Sequence, residues 1–380
     1  MIKQALKKIV RSIRKHQYHY QPLIEIQIDR QRIIDNFYAY TTANRAVAPV
    51  LKSNAYGHGL VEVARIVDSL PIPFLCVDSF FEALILRNES VRAPILIIGY
   101  TPQENIETNT LPRVAFAIIS IEELRRLANS ATAPTTIHLK IDTGMHRHGI
   151  ASHELDEAVT LITKNPFIKL EGIYSHLADA DTPQSAITEK QINQWNKAVR
   201  DIQTAIPNIA YIHCAASAGS AYPTITANTM RLGLGLYGIP ASQNSMHNIQ
   251  PALKMCTRIT SIKKIKKGES VGYNATFIAP ADMTIATIPA GYYEGIDRRL
   301  SNTGAVLIKN IPCPIVGRVS MNITTIDVSH IKDLSMDDEV VVISKNQSDT
   351  NSIIHIARTA GTIPWEILIH IPPHIRRTIA

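Results

Sequence analysis

One rhythm limits the possible folds more than any other feature. From about residue 30 to 245, short apolar runs rich in β-branched residues take turns with amphipathic helical stretches. Candidate strands fall at residues 47–52, 74–77, 95–99, 114–118, 136–142, 169–174, 210–214 and 230–232. Between them lie segments such as 120–129, where Ser120 and Glu123 form the spacing of a capping box. Eight β-α alternations within roughly 220 residues predict a (β/α)8 TIM-type barrel. An open doubly wound sheet shares the alternation, but its GxGxxG turn is missing after the first strand. Beyond about residue 250 the period shortens. Strands at 258–265, 283–289, 305–308, 316–319, 324–328 and 339–343 are separated by turn residues such as Lys267 and Gly268, and sustained helices are scarce. The expected organisation is a basic extension over 1–21, the barrel over 22–248, and a mainly β domain over 249–380.

A chain of 380 residues with 45% apolar content and 19% charged residues can bury real cores. The net charge of +7 is unevenly spread: Lys3, Lys7, Lys8, Arg11, Arg14 and Lys15 fall in residues 1–20, which hold no acidic residue. Leu6, Ile9, Val10 and Ile13 recur there at helical spacing, giving either a basic amphipathic helix that makes weak surface contacts or a solvated extension. The arm lacks the continuous apolar core of a secretory signal, so a cytoplasmic location is expected. Outside it no basic patch interleaved with aromatics appears, which argues against nucleic-acid binding. No apolar run has the length of a membrane helix. Cys76, Cys214, Cys256 and Cys313 lie far apart with no CxxC pair, supporting neither a metal site nor a disulfide framework.

Barrel enzymes gather reactive groups at the C-terminal ends of their strands. Those ends carry Lys52, then Lys140 and Arg147, His176, Ser217, Arg231 and Gly233. The loops after the seventh and eighth strands, where barrels usually bind phosphate, offer the Ser217 hydroxyl and the backbone of Gly233-Leu234-Gly235. Lys52 closes the apolar run Ala48-Pro49-Val50-Leu51. Burying its charge is costly unless the amine is neutral or covalently joined. A snorkelling strand-end lysine is the plain alternative. A lysine and a phosphate cradle on one rim instead read as a pyridoxal 5'-phosphate site.

The segment Leu51-Lys52-Ser53-Asn54-Ala55-Tyr56-Gly57-His58-Gly59 resembles the cofactor-lysine motif of bacterial alanine racemases, and the likeness extends over about residues 22–380. The resemblance implies a pyridoxal-phosphate enzyme that racemises alanine by a two-base mechanism, works as a homodimer with shared active sites, and supplies D-alanine for peptidoglycan. It implies that Lys52 joins the cofactor as an imine and acts as one acid–base group. Tyr56, Ser217, Gly233 and Leu234 would hold the phosphate. In the segment from Lys140 to Arg147, Arg147 would meet the cofactor's phenolic oxygen and the substrate, backed by Lys140, whose family counterpart is often carbamylated. Arg231 would face the pyridine nitrogen, with His176 behind it. An arginine keeps its proton at any working pH, so that nitrogen stays unprotonated and electron withdrawal into the ring is limited.

The β domain would supply the second base. Val271-Gly272-Tyr273-Asn274-Ala275-Thr276 resembles the family's tyrosine segment, making the partner subunit's Tyr273 the base on the face opposite Lys52. Tyr292 would narrow the substrate passage, and the Met321 backbone N–H would meet the substrate carboxylate. The sequence also departs from the family. Asn322 stands where an aspartate is usual, and Ala216 and Ser53 replace asparagine and alanine. Trp365 takes the place of a phosphate-binding tyrosine; indole cannot reproduce a phenol's hydroxyl, though it keeps one N–H donor. The alternatives are a broad-specificity or serine-preferring racemase and, more distantly, a barrel decarboxylase or a non-catalytic pyridoxal-phosphate protein. A decarboxylase of that kind sets an acid against the pyridine nitrogen where Arg231 stands, and the non-catalytic proteins have no β domain.

Overall fold

The computed structural model describes residues 21–241 and 247–380, so the basic arm of residues 1–20 and the surface contact expected of it lie outside the described residues. Strand β1 (Ile24–Ile28) is followed by the eight strands of the barrel. These are β2 (Ala46–Pro49), β3 (Leu75–Val77), β4 (Ile95–Ile97), β5 (Val114–Ile118), β6 (Thr135–Lys140), β7 (Ile168–Tyr174), β8 (Tyr211–His213) and β9 (Thr229–Leu232). β3 to β8 form one parallel sheet in chain order, and β2 pairs in parallel with β9. A parallel bridge between Val50 and Cys76 joins the two sheets on one side. Bonds from Arg231 N–H to Ala215 O (3.0 Å) and from Asn228 N–H to Ile212 O (3.1 Å) join them on the other. The barrel strands are buried almost throughout, as strands covered on both faces must be.

The helices around the barrel begin where their caps dictate. Ser79, Ser120 and Ser185 each accept the backbone N–H three residues on, opening the helices Phe80–Asn88, Ile121–Ser130 and Ala186–Ala205. The capping box expected at Ser120 forms only in half. Ser120 Oγ accepts from Glu123 N, but the Glu123 carboxylate reaches past Ser120 to the N–H of Ile119 at 2.8 Å.

Residues 24–28 behave unlike the rest of the barrel segment. Ile-Glu-Ile-Gln-Ile alternates, as a strand with one buried face does. β1 therefore pairs antiparallel with β10 (Leu253–Arg258) and parallel with Arg377–Ile379, inside a six-stranded sheet of the second domain. That domain is mainly β, with a three-stranded sheet beside the six-stranded one. The strand expected at 316–319 is absent: Gly317 sits at φ +78, a left-handed conformation that breaks the extended run. Its neighbour Ile311–Pro314 is the strand instead. Two helices, Ile353–Ala360 and Pro364–Ile369, interrupt the β pattern, and the second reaches back to the barrel. All four cysteines are buried free thiols. Among the described residues no helix is long and apolar enough to cross a membrane.

Candidate active site

Past β2 the chain makes a turn that most L-residues avoid. Ser53, Asn54, Ala55 and Tyr56 all have φ between 52° and 56°, a left-handed run that costs about 1–2 kcal/mol per residue. Hydrogen bonds from several elements hold it in place. Ala55 N–H bonds Leu51 O at 2.8 Å, Leu60 N–H bonds Asn54 Oδ1 at 2.9 Å, and Arg377 Nε–H bonds Gly57 O at 2.9 Å. Gly57 closes the turn at φ +81, against Leu368 O; a Cβ there would lie 2.0 Å from that oxygen. The reversal brings Lys52 and Tyr56 to the wall of a cavity of about 570 Å³ at the C-terminal rim of the barrel. That volume falls within the range of small-ligand sites.

Ten of the sequence-predicted positions line this cavity, Lys140 at the end of β6 among them. Lys52, Tyr56 and Trp365 come from the β2 turn and the helix Pro364–Ile369; Arg147 and His176 follow β6 and β7; Ser217, Arg231, Gly233 and Leu234 come from β8, β9 and their loops. Lys52 Nζ is 3.9 Å from Asp78 Oδ1, too long for a hydrogen bond. Ser217 Oγ accepts the Gly235 N–H at 3.2 Å, tying the two phosphate-type loops together. Burial pushes the Tyr56 phenol up to about 12, so it stays a proton donor. Burial, then the charges of Arg147 and Arg231, pull the Lys140 amine down to about 8.

Arg231 is 4% exposed, and no carboxylate among the described residues touches it. Its charge is spread over neutral acceptors: the carbonyls of Ser175 (2.7 Å), His213 (2.5 Å) and Cys214 (3.3 Å). Beneath it lies the Tyr174 ring, with the centroid 5.2 Å from the guanidinium carbon. His176 Nδ1 meets Arg231 at 3.3 Å, but His213 Nδ1 stands nearer, at 2.9 Å. The backing that the resemblance assigns to His176 alone is therefore shared with a histidine given no role by the sequence reading. Because an arginine can only donate, His213 must carry its proton on Nε2. That N–H donates to His138 Nδ1 at 2.8 Å, and His138 Nε2–H points to Glu171 Oε2 at 3.5 Å. Burial holds both histidines neutral, lowering His138 and taking His213 well below the usual range, with Arg231 adding to the effect. The two rings form a one-directional chain of bonds through the barrel interior. The available signal was a buried histidine next to apolar residues in two barrel strands, His138 between Ile137 and Leu139 and His213 after Ile212.

Three predicted residues lie elsewhere. Tyr273, Tyr292 and Met321 sit on the second domain, 68%, 44% and 56% exposed, and none lines the cavity of their own chain. Asn322, where the family usually has an aspartate, donates to the buried carboxylate of Glu294 at 2.6 Å.

Residues 28–241 match the family described as alanine racemase, N-terminal domain, and residues 252–379 match its C-terminal domain. The chain is 36% identical to an alanine racemase of Syntrophobacter fumaroxidans over 355 residues, covering 90% of this chain and 93% of that one. It is 34% identical to an alanine racemase of Sorangium cellulosum over 340 residues, covering 86% and 90%. Among solved structures, an alanine racemase of Clostridium difficile superposes with a TM-score of 0.87 at 28% identity, covering 96% of this chain and 97% of that one. An alanine racemase of Bacillus anthracis with bound L-Ala-P gives 0.86 at 28% identity, covering 96% of each.

Proposed function

This chain belongs to the alanine racemase family, and from that premise we propose that it interconverts L- and D-alanine using pyridoxal 5'-phosphate held in the barrel cavity. The residues present suit that cofactor. An amine at Lys52, a hydroxyl and backbone loops at Ser217 and Gly233, and a buried cation at Arg231 share one cavity of fitting size. When bound, pyridoxal phosphate supplies an electron-withdrawing ring that makes the α-proton of a joined amino acid easier to remove.

The rest of the task falls to the side chains. Lys52 Nζ would hold the cofactor through its aldehyde, and it would take or give a proton at the substrate α-carbon on one face. The partner subunit's Tyr273 exchanges a proton through its phenolic oxygen on the other face. One group removes a proton while the other delivers one, so configuration inverts and protons balance. The high exposure of Tyr273 on its own chain supports this assignment, since a base for a neighbouring site must project outward. Apart from β1, which lies in the second domain's sheet, residues 22–248 then act as the cofactor-holding half, and residues 249–380 serve the partner while lending Trp365 to their own cavity, in a homodimer with shared sites. Tyr56, Ser217, Gly233 and Leu234 hold the phosphate, with the Trp365 indole packed over the same cavity. Arg147 would meet the substrate and the cofactor's phenolic oxygen, the partner's Met321 N–H would meet the substrate carboxylate, and the partner's Tyr292 would narrow the passage. Lys140, with its lowered basicity, holds enough neutral amine near pH 8 to take up carbon dioxide and release a proton.

The observation that carries this reading is Arg231. A buried cation whose hydrogen bonds among the described residues go to histidines and carbonyls keeps its own proton and cannot protonate a ring nitrogen, which favours racemisation over decarboxylation. The four free thiols suit a reducing compartment, and we assign the reaction to the cytoplasm, with peptidoglycan assembly consuming the D-alanine. The test is to add pyridoxal phosphate, reduce with borohydride, and follow each alanine isomer in deuterium oxide. Expected are a yellow protein, an adduct on Lys52, and deuterium in the product isomer. A colourless protein with no adduct overturns the proposal.

A further inference from the structure

Two loops of the second domain are locked together around one buried carboxylate. Glu294, 8% exposed, accepts the Gly291 N–H at 2.8 Å through one oxygen and the Asn322 side-chain amide at 2.6 Å through the other. The backbones meet as well: Tyr292 N–H bonds Ser320 O at 3.0 Å, and Tyr293 N–H bonds Met321 O at 2.9 Å. Gly291 allows this approach, since a Cβ there would lie 2.2 Å from Ser320 O. Each loop carries one of these exposed side chains, Tyr292 on the first and Met321 on the second.

We propose that Glu294 and Asn322 are a matched positioning pair that sets where Met321 N–H and the Tyr292 ring stand in the partner's site. The inference rests on the proposed function. It also explains the asparagine at 322. An aspartate there would face Glu294 at hydrogen-bond distance, and two carboxylates so close cannot both ionise. With glutamate at 294, an amide at 322 supplies the donor that a carboxylate lacks. Neither residue touches the reacting atoms. A group that holds the substrate carboxylate acts on ground state and transition state alike, so misplacing it raises KM and leaves kcat nearly unchanged.

The experiment compares wild type, Asn322→Asp, Glu294→Gln and the double variant as dimeric, cofactor-loaded enzymes, measuring kcat and KM for both alanine isomers. Asn322→Asp is expected to raise KM about tenfold, the order of one lost hydrogen bond, with kcat within about twofold. In the double variant the amide introduced by Glu294→Gln can donate to the new carboxylate, so KM should return to within about twofold of wild type. Poor folding of the single variant, seen in its melting temperature, leaves the rescue by the double variant as the deciding measurement. An unchanged KM in Asn322→Asp, a loss confined to kcat, or a double variant no better than the single overturns the pairing. Wild type inert on both isomers overturns the proposed function and this inference with it; active wild type with an unchanged KM overturns this inference alone.

Discussion

His58, next to the left-handed turn, makes the stability of this fold depend on pH. It is fully buried, with its ring 4.5 Å from that of Tyr237, and its Nδ1–H donates to Tyr56 O at 3.0 Å. Burial takes it from the usual 6.5 down to about 4. The folded pKa is depressed, so the native state is at full strength above the unfolded value and weakens as pH falls from 6.5 toward 4. Between pH 7.5 and pH 5 the loss from this one group is about 2 kcal/mol, a large part of a typical total of about 5–15 kcal/mol. His176, taken to about 3 by burial and then by Arg231, acts in the same direction, as do His138 and His213. Urea unfolding followed by circular dichroism at the two pH values gives the wild-type difference, and calorimetry gives the protons taken up. His58→Gln, which keeps a donor for Tyr56 O, should remove about 2 kcal/mol of that difference and about one proton. Equal pH dependence in wild type and variant would rule out His58 as the source of the effect.

The remaining predictions concern the turn and the two faces of the substrate. Gly57→Ala sets a methyl against Leu368 O at a left-handed backbone position, so it should lose about 2–4 kcal/mol by overpacking and strain; an unchanged melting temperature in scanning calorimetry would contradict this. Lys52→Ala should abolish racemisation, and wild-type turnover would reject the lysine. Tyr273→Phe should lose racemisation equally in both directions, as the equal free energies of the two enantiomers require, while Lys52 still exchanges the α-proton of D-alanine in deuterium oxide; full racemisation, or loss of exchange from both isomers alike, counts against a base on each face.

Much of the architecture is written in local pattern. The apolar runs of the barrel strands and the Ser-x-x-Glu starts of their helices report burial and capping that act over a few residues, so the alternation and the break near residue 250 are readable directly. The reading fails where a local pattern has two uses. Residues 24–28 alternate, and only the pairing with 253–258 and 377–379 shows which sheet takes them. At 316–319 the apolar residues suggested a strand, and a left-handed Gly317 prevented it.

At the cavity the division is similar. Lys52, Arg231 and Ser217 are visible as reactive types at strand ends, because strand ends can be counted along the chain. His138 and His213 meet across 75 residues, and Glu294 and Asn322 across 28. The sequence alone determined which chemical groups this protein can bring to a barrel rim, since composition and period follow from the chain itself. Only the tertiary structure decided which of those groups share a hydrogen bond, because closing the barrel and docking two loops set distances that no spacing along the chain encodes.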